Sequence, residues 1–386
     1  MKRLLTLLLG ITLMTTFLLG CGFQKDDKAK LAEATKNMSP EEKNDYIAGE
    51  LLKKMTLEEK VGQLMMVGLS GTSLDDNDIF LLKKAHVGGV ILFDRNMKNK
   101  EQVKALTTSI QEQTTNPLPV FIAVDEEGGL VARMREELEA PPAAEVIGKT
   151  GDVNVAYEWA VKTSKNIKEL GFNVNFAPVA DIDSDLKRSY GKDADTVTKF
   201  IRSAMSGYKK ENVICSLKHF PGIGKSKVDS HIEGSIIDAD FATLEKEDLL
   251  PFTKMINENN NDDFMIMVSH LSYPALDKEY PASISKNIID GVLRKKLGFK
   301  GIIITDDLEM GAVSKHYDFV DMGIKTIQAG SDIALICHEP EHIKMVYEGL
   351  LKAAKNGEIS ESRIDESCKR ILKVKLKLYP LNEQNL

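Results

Sequence analysis

The segment GIIITDD (residues 301–307) is an apolar run that ends in two carboxylates. It carries no charge before Asp306 and shows no alternation of polar and apolar residues, which is typical of a strand buried on both faces of a parallel sheet. A carboxylate held at the end of such a strand has little freedom, and this suits a nucleophile or a ligand for a polar substrate. Asp306 is therefore a candidate site residue. The alternative is that Asp306 caps the next segment, a role that Asp307 is also able to fill.

Runs of this kind occur eight times, at residues 62–67, 87–93, 120–124, 174–179, 213–217, 264–268, 301–304 and 333–336. Amphipathic segments lie between them, for example at 74–84, 100–113, 154–170, 195–209 and 286–296. Strand followed by helix, eight times over, predicts the α/β class and a (β/α)8 TIM barrel with one catalytic domain. A doubly wound open sheet is the second candidate. It is disfavoured because no Gly-x-Gly-x-x-Gly opens the first βα unit.

Polar residues follow the predicted strands at their carboxyl ends, which meet at one face of a parallel barrel and form its active site. These residues are Asp125, Asp181, Lys218, His219, Ser269, His270, Asp306, Asp307 and His338. For Asp181 and His338 we expect only ordinary strand-end caps. The sequence therefore predicts a site built from several strand ends.

Composition limits the classes of function. The 386 residues are 42% hydrophobic and 28% charged, with a net charge of -7, which suits a soluble globular protein with a sizeable core. No basic stripe is present, so we expect no nucleic-acid partner. The seven histidines are too scattered for a zinc motif, and we predict no metal and no cofactor. Cys215 and Cys337 lie in apolar runs and are expected to be small buried hydrophobes rather than parts of a disulfide framework.

Several sequence blocks point together to one family. They are MTLEEK (55–60), VDEEGG (124–129), NFAPV (175–179), KHFPG (218–222) with DSH (229–231), and TDDLEM (305–310). By these blocks the chain from residue 55 onward resembles glycoside hydrolase family 3. Within that family it resembles the single-domain bacterial β-N-acetylglucosaminidases of peptidoglycan recycling.

The resemblance implies a role for each matching residue. Asp306 would be the nucleophile, and His231 and Asp229 would form the acid/base dyad. The residues implied to hold the sugar hydroxyls are Asp125, Arg133, Arg188, Lys218 and His219. The chain departs from the family pattern at Glu126, Leu130 and Ile223, where Gln, Arg and His are frequent, and these changes concern the fine sugar preference.

The chemistry of glycoside cleavage agrees with these roles. Cleavage with retention needs a nucleophilic carboxylate and a proton donor to the leaving oxygen. A histidine titrates near neutrality, so His231 is able to donate a proton and later accept one. Asp229 is able to hold its tautomer. Without this context, His219 would be interpreted as a satisfied core histidine and His231 as a solvated loop residue.

The N-terminus has the pattern of a lipoprotein signal. Lys2 and Arg3 precede an apolar stretch over 4–19, and Leu18-Leu19-Gly20-Cys21 resembles the lipobox of bacterial lipoproteins. We expect a signal peptide over 1–20, a lipid-bearing Cys21 that begins a charged tether over 21–38, and the catalytic domain over 39–386. A transmembrane anchor is the alternative, but the stretch is short for one. The expected location is extracytoplasmic and lipid-anchored to the membrane.

The leading hypothesis is a retaining, exo-acting β-N-acetylhexosaminidase that acts as a monomer on terminal GlcNAc of cell-wall fragments. Three alternatives stay open. A β-glucosidase or β-xylosidase is disfavoured by the Asp-Ser-His motif, which marks the glucosaminidase branch. A GlcNAc phosphorylase is possible because a histidine acid/base does not repel phosphate as a carboxylate would. A non-catalytic sugar-binding lipoprotein is disfavoured by the intact Asp306, Asp229 and His231.

Overall fold

Eight parallel strands form a closed barrel in chain order, with the last strand paired back to the first. The computed structural model describes residues 25–135, 137–184, 187–226 and 235–381. The strands are β1 Met65–Gly68, β2 Gly89–Ile91, β3 Phe121–Val124, β4 Val174–Asn175, β5 Ile214–Phe220, β6 Phe264–Val268, β7 Ile303–Asp307 and β8 Ile333–Ile336. This confirms the predicted (β/α)8 TIM barrel.

Helices surround the barrel and connect its strands. They are α1 Lys25–Thr35, α2 Pro40–Lys54, α3 Leu57–Gln63, α4 Asp76–Lys83, α5 Lys100–Gln113, α6 Ala144–Gly148, α7 Val153–Glu169, α8 Ala194–Lys210, α9 Phe241–Lys246, α10 Leu250–Glu258, α11 Gly311–Ser314, α12 Phe319–Ala329, α13 Pro340–Lys355 and α14 Glu361–Leu378. A π-helix, Asn287–Lys296, lies between β6 and β7. Short 3-10 turns are Asp94–Asn96, Asn261–Asp263 and Ala282–Ile284.

Several strand boundaries differ from the sequence-based prediction, and for the first and fourth strands the local cause is clear. The first strand begins at Met65 rather than at residue 62, because Gly62 and Gln63 complete α3. The capping box of Thr56 and Glu59 fixes where that helix begins. The fourth strand has only two residues, because the chain leaves the regular ladder after Asn175 and meets β5 again through a single bridge from Val179 to Lys218.

The direction of each side chain follows from the two-residue period of a strand. Ile302, just before β7, and Ile304 within it belong to the cluster that fills the barrel interior, whereas Ile303 packs outward against the helices. The same alternation places Ile214 inside and Cys215 outside in β5. Side chains therefore fill the interior of the barrel. A site is able to form above them, where the carboxyl ends of the strands meet.

The segment predicted to be a tether contains the helix α1. Leu31 of this helix is buried together with Ile47 and Leu51 of α2 and with Leu372 and Leu376 of α14. The charged composition of 21–38 predicts a solvated linker. Leu31 nevertheless packs against α2 and α14 and so attaches this part of α1 to the barrel domain. Within the described ranges, none of the helices combines the length and the apolar character that a membrane crossing needs. Residues 1–20 and Cys21 lie outside the described residues.

Candidate active site

Three strands place a charged residue above the packed interior. The inward positions of β3 are Phe121 and Ala123, so the next inward position is Asp125. The same period in β5, from Ile214 through Ser216, leads to Lys218. In β7 it leads from Ile302 and Ile304 to Asp306.

These residues open into a cavity of about 350 Å³ at the carboxyl ends of the strands. The polar residues that line it are Asp125, Glu127, Arg133, Arg188, Lys218, His219, Asp306, Asp307, Glu309 and His338. The structure thus brings together the predicted nucleophile and all five residues predicted to hold the sugar. Their chemical roles stay predictions. Asp229 and His231, the predicted dyad, belong to residues 227–234 and lie outside the described part of the chain.

Lys218 is the central cation of the cavity. Its side chain is 3% exposed, and Nζ lies 2.7 Å from Oδ1 of Asp125 and 2.6 Å from Oε1 of Glu127. Burial lowers the pKa of Lys218, but the two carboxylates outweigh burial and the net shift is upward. Lys218 is therefore a fixed positive charge above the barrel core.

Glu127 is a site residue that the sequence analysis did not single out. Besides Lys218 it contacts Arg188, whose Nε and Nη2 donate to Oε2 and Oε1 at 2.9 and 2.8 Å. Burial raises the pKa of the Glu127 carboxyl, but Lys218 and Arg188 outweigh it and hold the pKa well below its usual range. Glu127 belongs to the VDEEGG block, but it lies in the loop after β3. The two-residue alternation of side chains along the strand therefore does not predict the direction of its side chain.

Asp181 holds His219 in place. The His219 ring donates from Nδ1 to Oδ2 of Asp181 at 2.8 Å, and Oδ1 accepts the backbone N–H groups of His219 and Ile223 at 3.2 and 2.9 Å. Asp181 is thus more than the ordinary strand-end cap that the sequence suggested. The Nε2 atom of His219 lies 3.3 Å from Nη2 of Arg188 at the cavity.

Arg133 and Asp125 are close without a direct hydrogen bond. Nη2 of Arg133 lies 3.8 Å from Oδ2 of Asp125, and Nη1 donates to the exposed Asp94 at 2.9 Å. The Nε atom of Arg133 is buried and has no hydrogen-bond partner among the described residues. Because this Nε atom is shielded from solvent, a ligand would reach Arg133 through its terminal nitrogens.

Asp306 is buried near Lys218 and near the histidines His219 and His270. Burial raises the pKa of its carboxyl, but attraction to His219, His270 and Lys218 outweighs burial and lowers the pKa. Its Oδ1 accepts the backbone N–H of Asp307 at 2.9 Å. A carboxylate that is ionised and anchored at one oxygen is suited to attack an electrophilic carbon with the other.

Asp307 and His270 support the end of β7. Oδ1 of Asp307 accepts the N–H groups of Glu309 and Cys337 at 3.1 and 3.2 Å, so Asp307 takes the local capping role and Asp306 stays available. His270 donates from Nε2 to the carbonyl of Asp307 at 2.7 Å, and its Nδ1 pairs with Ser283 at 2.8 Å. Burial lowers the pKa of His270, which is a buried structural histidine rather than a cavity group.

His338 lies in the cavity wall, contrary to the expectation of an ordinary cap. Its Nε2 is 3.2 Å from Oδ2 of Asp307, and its Nδ1 is 3.0 Å from Nη1 of Arg95. The ring also packs against Phe93, with centroids 5.3 Å apart. The hydrogen bond to Asp307 is the main cause that raises the pKa of His338.

No group of three or more His, Cys, Asp or Glu side chains within the described ranges is arranged to hold a metal ion. The cavity instead offers a buried carboxylate, Asp306, beside fixed cations and beside further carboxylates that are able to bind hydroxyl groups. Such a set is suited to displacement at a carbon atom of a polyhydroxylated substrate.

Comparison with known proteins adds a family match. The profile of the "Glycosyl hydrolase family 3 N terminal domain" matches residues 56–374. "Beta-hexosaminidase" of Nitrosomonas eutropha is 34% identical over 288 residues, which cover 72% of this chain and 81% of the relative. "Beta-hexosaminidase A" of Pseudoalteromonas piscicida is 34% identical over 329 residues, which cover 77% of this chain. The match spans about half, 54%, of that relative's own length.

A solved structure has the same architecture. A glycoside hydrolase family 3 β-N-acetylglucosaminidase from Paenibacillus sp. str. FPU-7 superimposes with a TM-score of 0.81 at 35% identity. The superposition covers 84% of this chain and 63% of the Paenibacillus chain.

Proposed function

The chain belongs to glycosyl hydrolase family 3, and from that membership we propose that it is an exo-acting β-N-acetylhexosaminidase. The substrate in this proposal is terminal β-linked GlcNAc on peptidoglycan fragments or related glycans. The relatives named hexosaminidase, at 34% identity, support the reaction class. The Asp-Ser-His element at 229–231 supports the preference for an N-acetylated sugar.

The observation that carries the proposal is the position of Asp306. It is a buried carboxylate with a lowered pKa, and it lies at the mouth of a barrel cavity next to Lys218 and His219. A cavity of about 350 Å³ lies at the small end of the range for ligand sites, roughly 300–1,000 Å³, which suits one terminal sugar rather than a long glycan.

The proposed mechanism has two displacements with net retention. Asp306 attacks the anomeric carbon, and His231 gives a proton to the departing glycosidic oxygen as that bond breaks. The product is a glycosyl ester of Asp306. Water then attacks the same carbon while His231 takes its proton, and Asp306 is released. Asp229 would keep the imidazole oriented through both steps.

The residues of the cavity have binding roles in this mechanism. Lys218, Asp125, Arg133, Arg188 and His219 would hold the hydroxyl groups and so place the anomeric carbon beside Asp306. Hydrogen bonds from side chains that are already fixed cost little reorganisation during the reaction, and Asp181 and Glu127 hold His219, Lys218 and Arg188 in position.

The deciding experiment compares hydrolysis of aryl β-GlcNAc and aryl β-glucoside, with and without phosphate. We expect a strong preference for the GlcNAc substrate and release of free GlcNAc. Preference for the glucoside would favour the β-glucosidase alternative, a sugar phosphate product would identify a phosphorylase, and binding without turnover would leave a sugar-binding protein. A 5-fluoro glycoside should trap an ester on Asp306, and a label on Asp125 or an inverted product would contradict the mechanism.

The location of the protein is part of the same proposal. The pattern Leu18-Leu19-Gly20-Cys21 supports a lipid anchor at Cys21 and a site on the outer face of the membrane. Replacing Cys21 with Ala should abolish lipid labelling and move the protein out of the membrane fraction. Unchanged labelling and fractionation would show that Cys21 is not the anchor.

A further inference from the structure

The end of the barrel opposite the cavity is closed by α14. This helix and the residue after it contact residues that stand just before four of the strands. The pairs are Lys375 with Gln63 before β1, Tyr379 with Asn173 before β4, Lys373 with Asp262 before β6 and Ser367 with Asp332 before β8, at 2.7, 2.8, 3.2 and 2.7 Å. Because the strands are parallel, the residues before them share the amino-terminal end of the barrel, and the cavity lies at the other end.

The helices α1 and α2 cover the far side of α14. Toward the barrel, α14 contributes three side chains to the interior cluster, namely Ile371, Val374 and Leu378. Leu372 and Leu376 pack instead with Leu31 of α1 and with α2. Lys369 donates to Oδ2 of Asp45 in α2 at 2.8 Å. With 3.6 residues per turn, Lys369 and Leu376 lie on the side of α14 roughly opposite to the barrel. We call α1 and α2 the basal layer.

The proposed lipid anchor is attached to this basal layer. Only residues 22–24 separate Cys21 from Lys25, the first residue of α1. Because a chain extends at most about 3.6 Å per residue, this connection spans no more than about 15 Å. Leu31 follows less than two turns into α1 and is buried against α2 and α14, which fixes α1 to the domain. A lipid on Cys21 would therefore hold the basal layer, rather than another side of the barrel, at the membrane.

The outer surface of the basal layer suits the headgroup region of a membrane. Tyr46 lies on the face of α2 away from the buried Ile47 and Leu51, and it is 37% exposed. Tyrosine is favoured at membrane interfaces, because its ring is apolar and its hydroxyl remains in water. The ends of α2 carry Glu41 and Glu42 as well as Lys53 and Lys54, so the surface has no excess of positive charge to attract anionic lipids. The lipid anchor must supply most of the attachment.

We propose that the anchored protein stands on the membrane with its basal layer against the lipid and with its cavity facing away. The inference rests on the lipid anchor at Cys21 that belongs to the proposed function. Strands rise about 3.3 Å per residue and helices pack about 10 Å apart, so the cavity lies roughly 30–40 Å from the lipid surface. The substrates in this arrangement are glycan ends that arrive through the aqueous phase. A sugar linked closely to a lipid of the same membrane is out of reach.

The first test compares two positions of a donor dye on the lipidated full-length protein, Tyr46→Cys and Val146→Cys, in phosphatidylcholine vesicles with an acceptor on the headgroups. Val146 is an exposed residue of α6 on the cavity side, because Glu145 bonds to Lys187 in the loop after β4. Cys215, Cys337 and Cys368 are buried and should not react with the dye. The donor at residue 46 should lose most of its fluorescence and the donor at residue 146 little. Equal losses, or a greater loss at residue 146, would overturn the inference.

Leu31→Ser tests whether the docking of α1 sets this orientation. Without the buried leucine, residues 21–38 should become the solvated linker that their composition predicts, and the two donors should then lose similar fractions of their fluorescence. Glu33→Ala is the matched control, because Glu33 is exposed on the same helix, and it should keep the difference between the donors. A difference that persists in Leu31→Ser would contradict a role for α1. Absence of lipid labelling at Cys21 would contradict the proposed anchor, and this inference with it.

The second test concerns substrates. It compares hydrolysis of aryl β-GlcNAc in solution with hydrolysis of a glycolipid that carries one β-GlcNAc on a short spacer in the same dilute vesicles. The ratio of glycolipid to aryl hydrolysis should be low for the anchored protein and should rise in Leu31→Ser. A ratio that is the same in both proteins would overturn the inference for substrates. Failure to hydrolyse the aryl substrate would contradict the proposed function, whereas the fluorescence result needs no activity and would stand.

Discussion

Glu127 and Arg188 form a bidentate ion pair, with Nε–Oε2 and Nη2–Oε1 distances of 2.9 and 2.8 Å. The pair joins the loop after β3 to the loop after β4, and Lys218 of β5 contacts the same carboxylate at 2.6 Å. One carboxylate thus holds two cations of the cavity. Removing its charge would leave both cations partly unpaired in a buried setting, which is costly.

Glu127→Gln should therefore reduce kcat/KM on aryl β-GlcNAc by about a hundredfold, a loss of about 2.7 kcal/mol of transition-state stabilisation, because Lys218 and Arg188 lose the carboxylate that positions them. The matched control is Glu258→Gln, because Glu258 forms the same bidentate contact with Arg202, at 2.7 and 3.0 Å, on the exposed surface. That variant should keep wild-type kinetics. Equal effects of the two substitutions would mean that Glu127 has no special part in the cavity.

The two histidines of residues 218–234 should differ in their dependence on the leaving group. His231→Ala should slow substrates with poor leaving groups by about a hundredfold to ten-thousandfold and nitrophenyl substrates much less, because activated phenolates need little protonation. His219→Ala should weaken binding with both substrates. The measurement is the ratio of rates on a nitrophenyl glycoside and a natural disaccharide. If His219→Ala shows the leaving-group dependence, the two roles are reversed.

Glu126 should make stability depend on pH. Its side chain is buried, with Oε2 accepting the N–H of Arg133 at 2.8 Å, and burial raises its pKa from 4.5 to about 7. Between these values the native state binds more protons than the unfolded state, so this group lowers stability as pH rises from 4.5 to about 7. Above pH 7 the loss reaches an upper limit of about 3 kcal/mol.

Glu126→Gln removes this titration. The variant should match wild type near pH 4.5 and be more stable at pH 8, as measured by urea unfolding at both values. The family frequently has Gln at the position of Glu126, so we expect the amide side chain to fit this site. A stability difference that is the same at both pH values would show that Glu126 does not titrate with a raised pKa.

Asp332 should matter for stability but not for chemistry. It is fully buried just before β8, away from the cavity, and contacts Arg294, Arg370 and Ser367. Burial raises the pKa of Asp332, but the surrounding arginines outweigh it, so its stabilising contribution is present above the ordinary pKa and is lost as pH falls. Asp332→Ala should cost about 3–5 kcal/mol of unfolding free energy.

The control for Asp332 is Asp321→Ala, which removes an exposed carboxylate 3.8 Å from Lys325. Its cost should stay within about 0.5 kcal/mol. Denaturant titration at pH 7 separates the two variants, and kcat under native conditions should be unchanged in both. A large loss of kcat in folded Asp332→Ala would contradict a purely structural role.

The sequence alone was enough to predict the barrel and much of the cavity. Uninterrupted apolar runs identify buried parallel strands, and the two-residue period then carries Asp125, Lys218 and Asp306 to the barrel mouth. These are local properties, so they can be read along the chain.

The pairing of charges was decided only by the tertiary structure. Glu127 meets Arg188 across 61 positions of the chain, and Asp181 meets His219 across 38. His338 contacts Asp307 because the ends of β7 and β8 are neighbours. This contact places His338, which was expected to be a strand-end cap, in the wall of the cavity. The pairing of each carboxylate with its cation depends on the paths of the loops. Side chains in loops do not follow the two-residue alternation of a strand. Only folding brings those loops to the same face of the barrel and determines their partners.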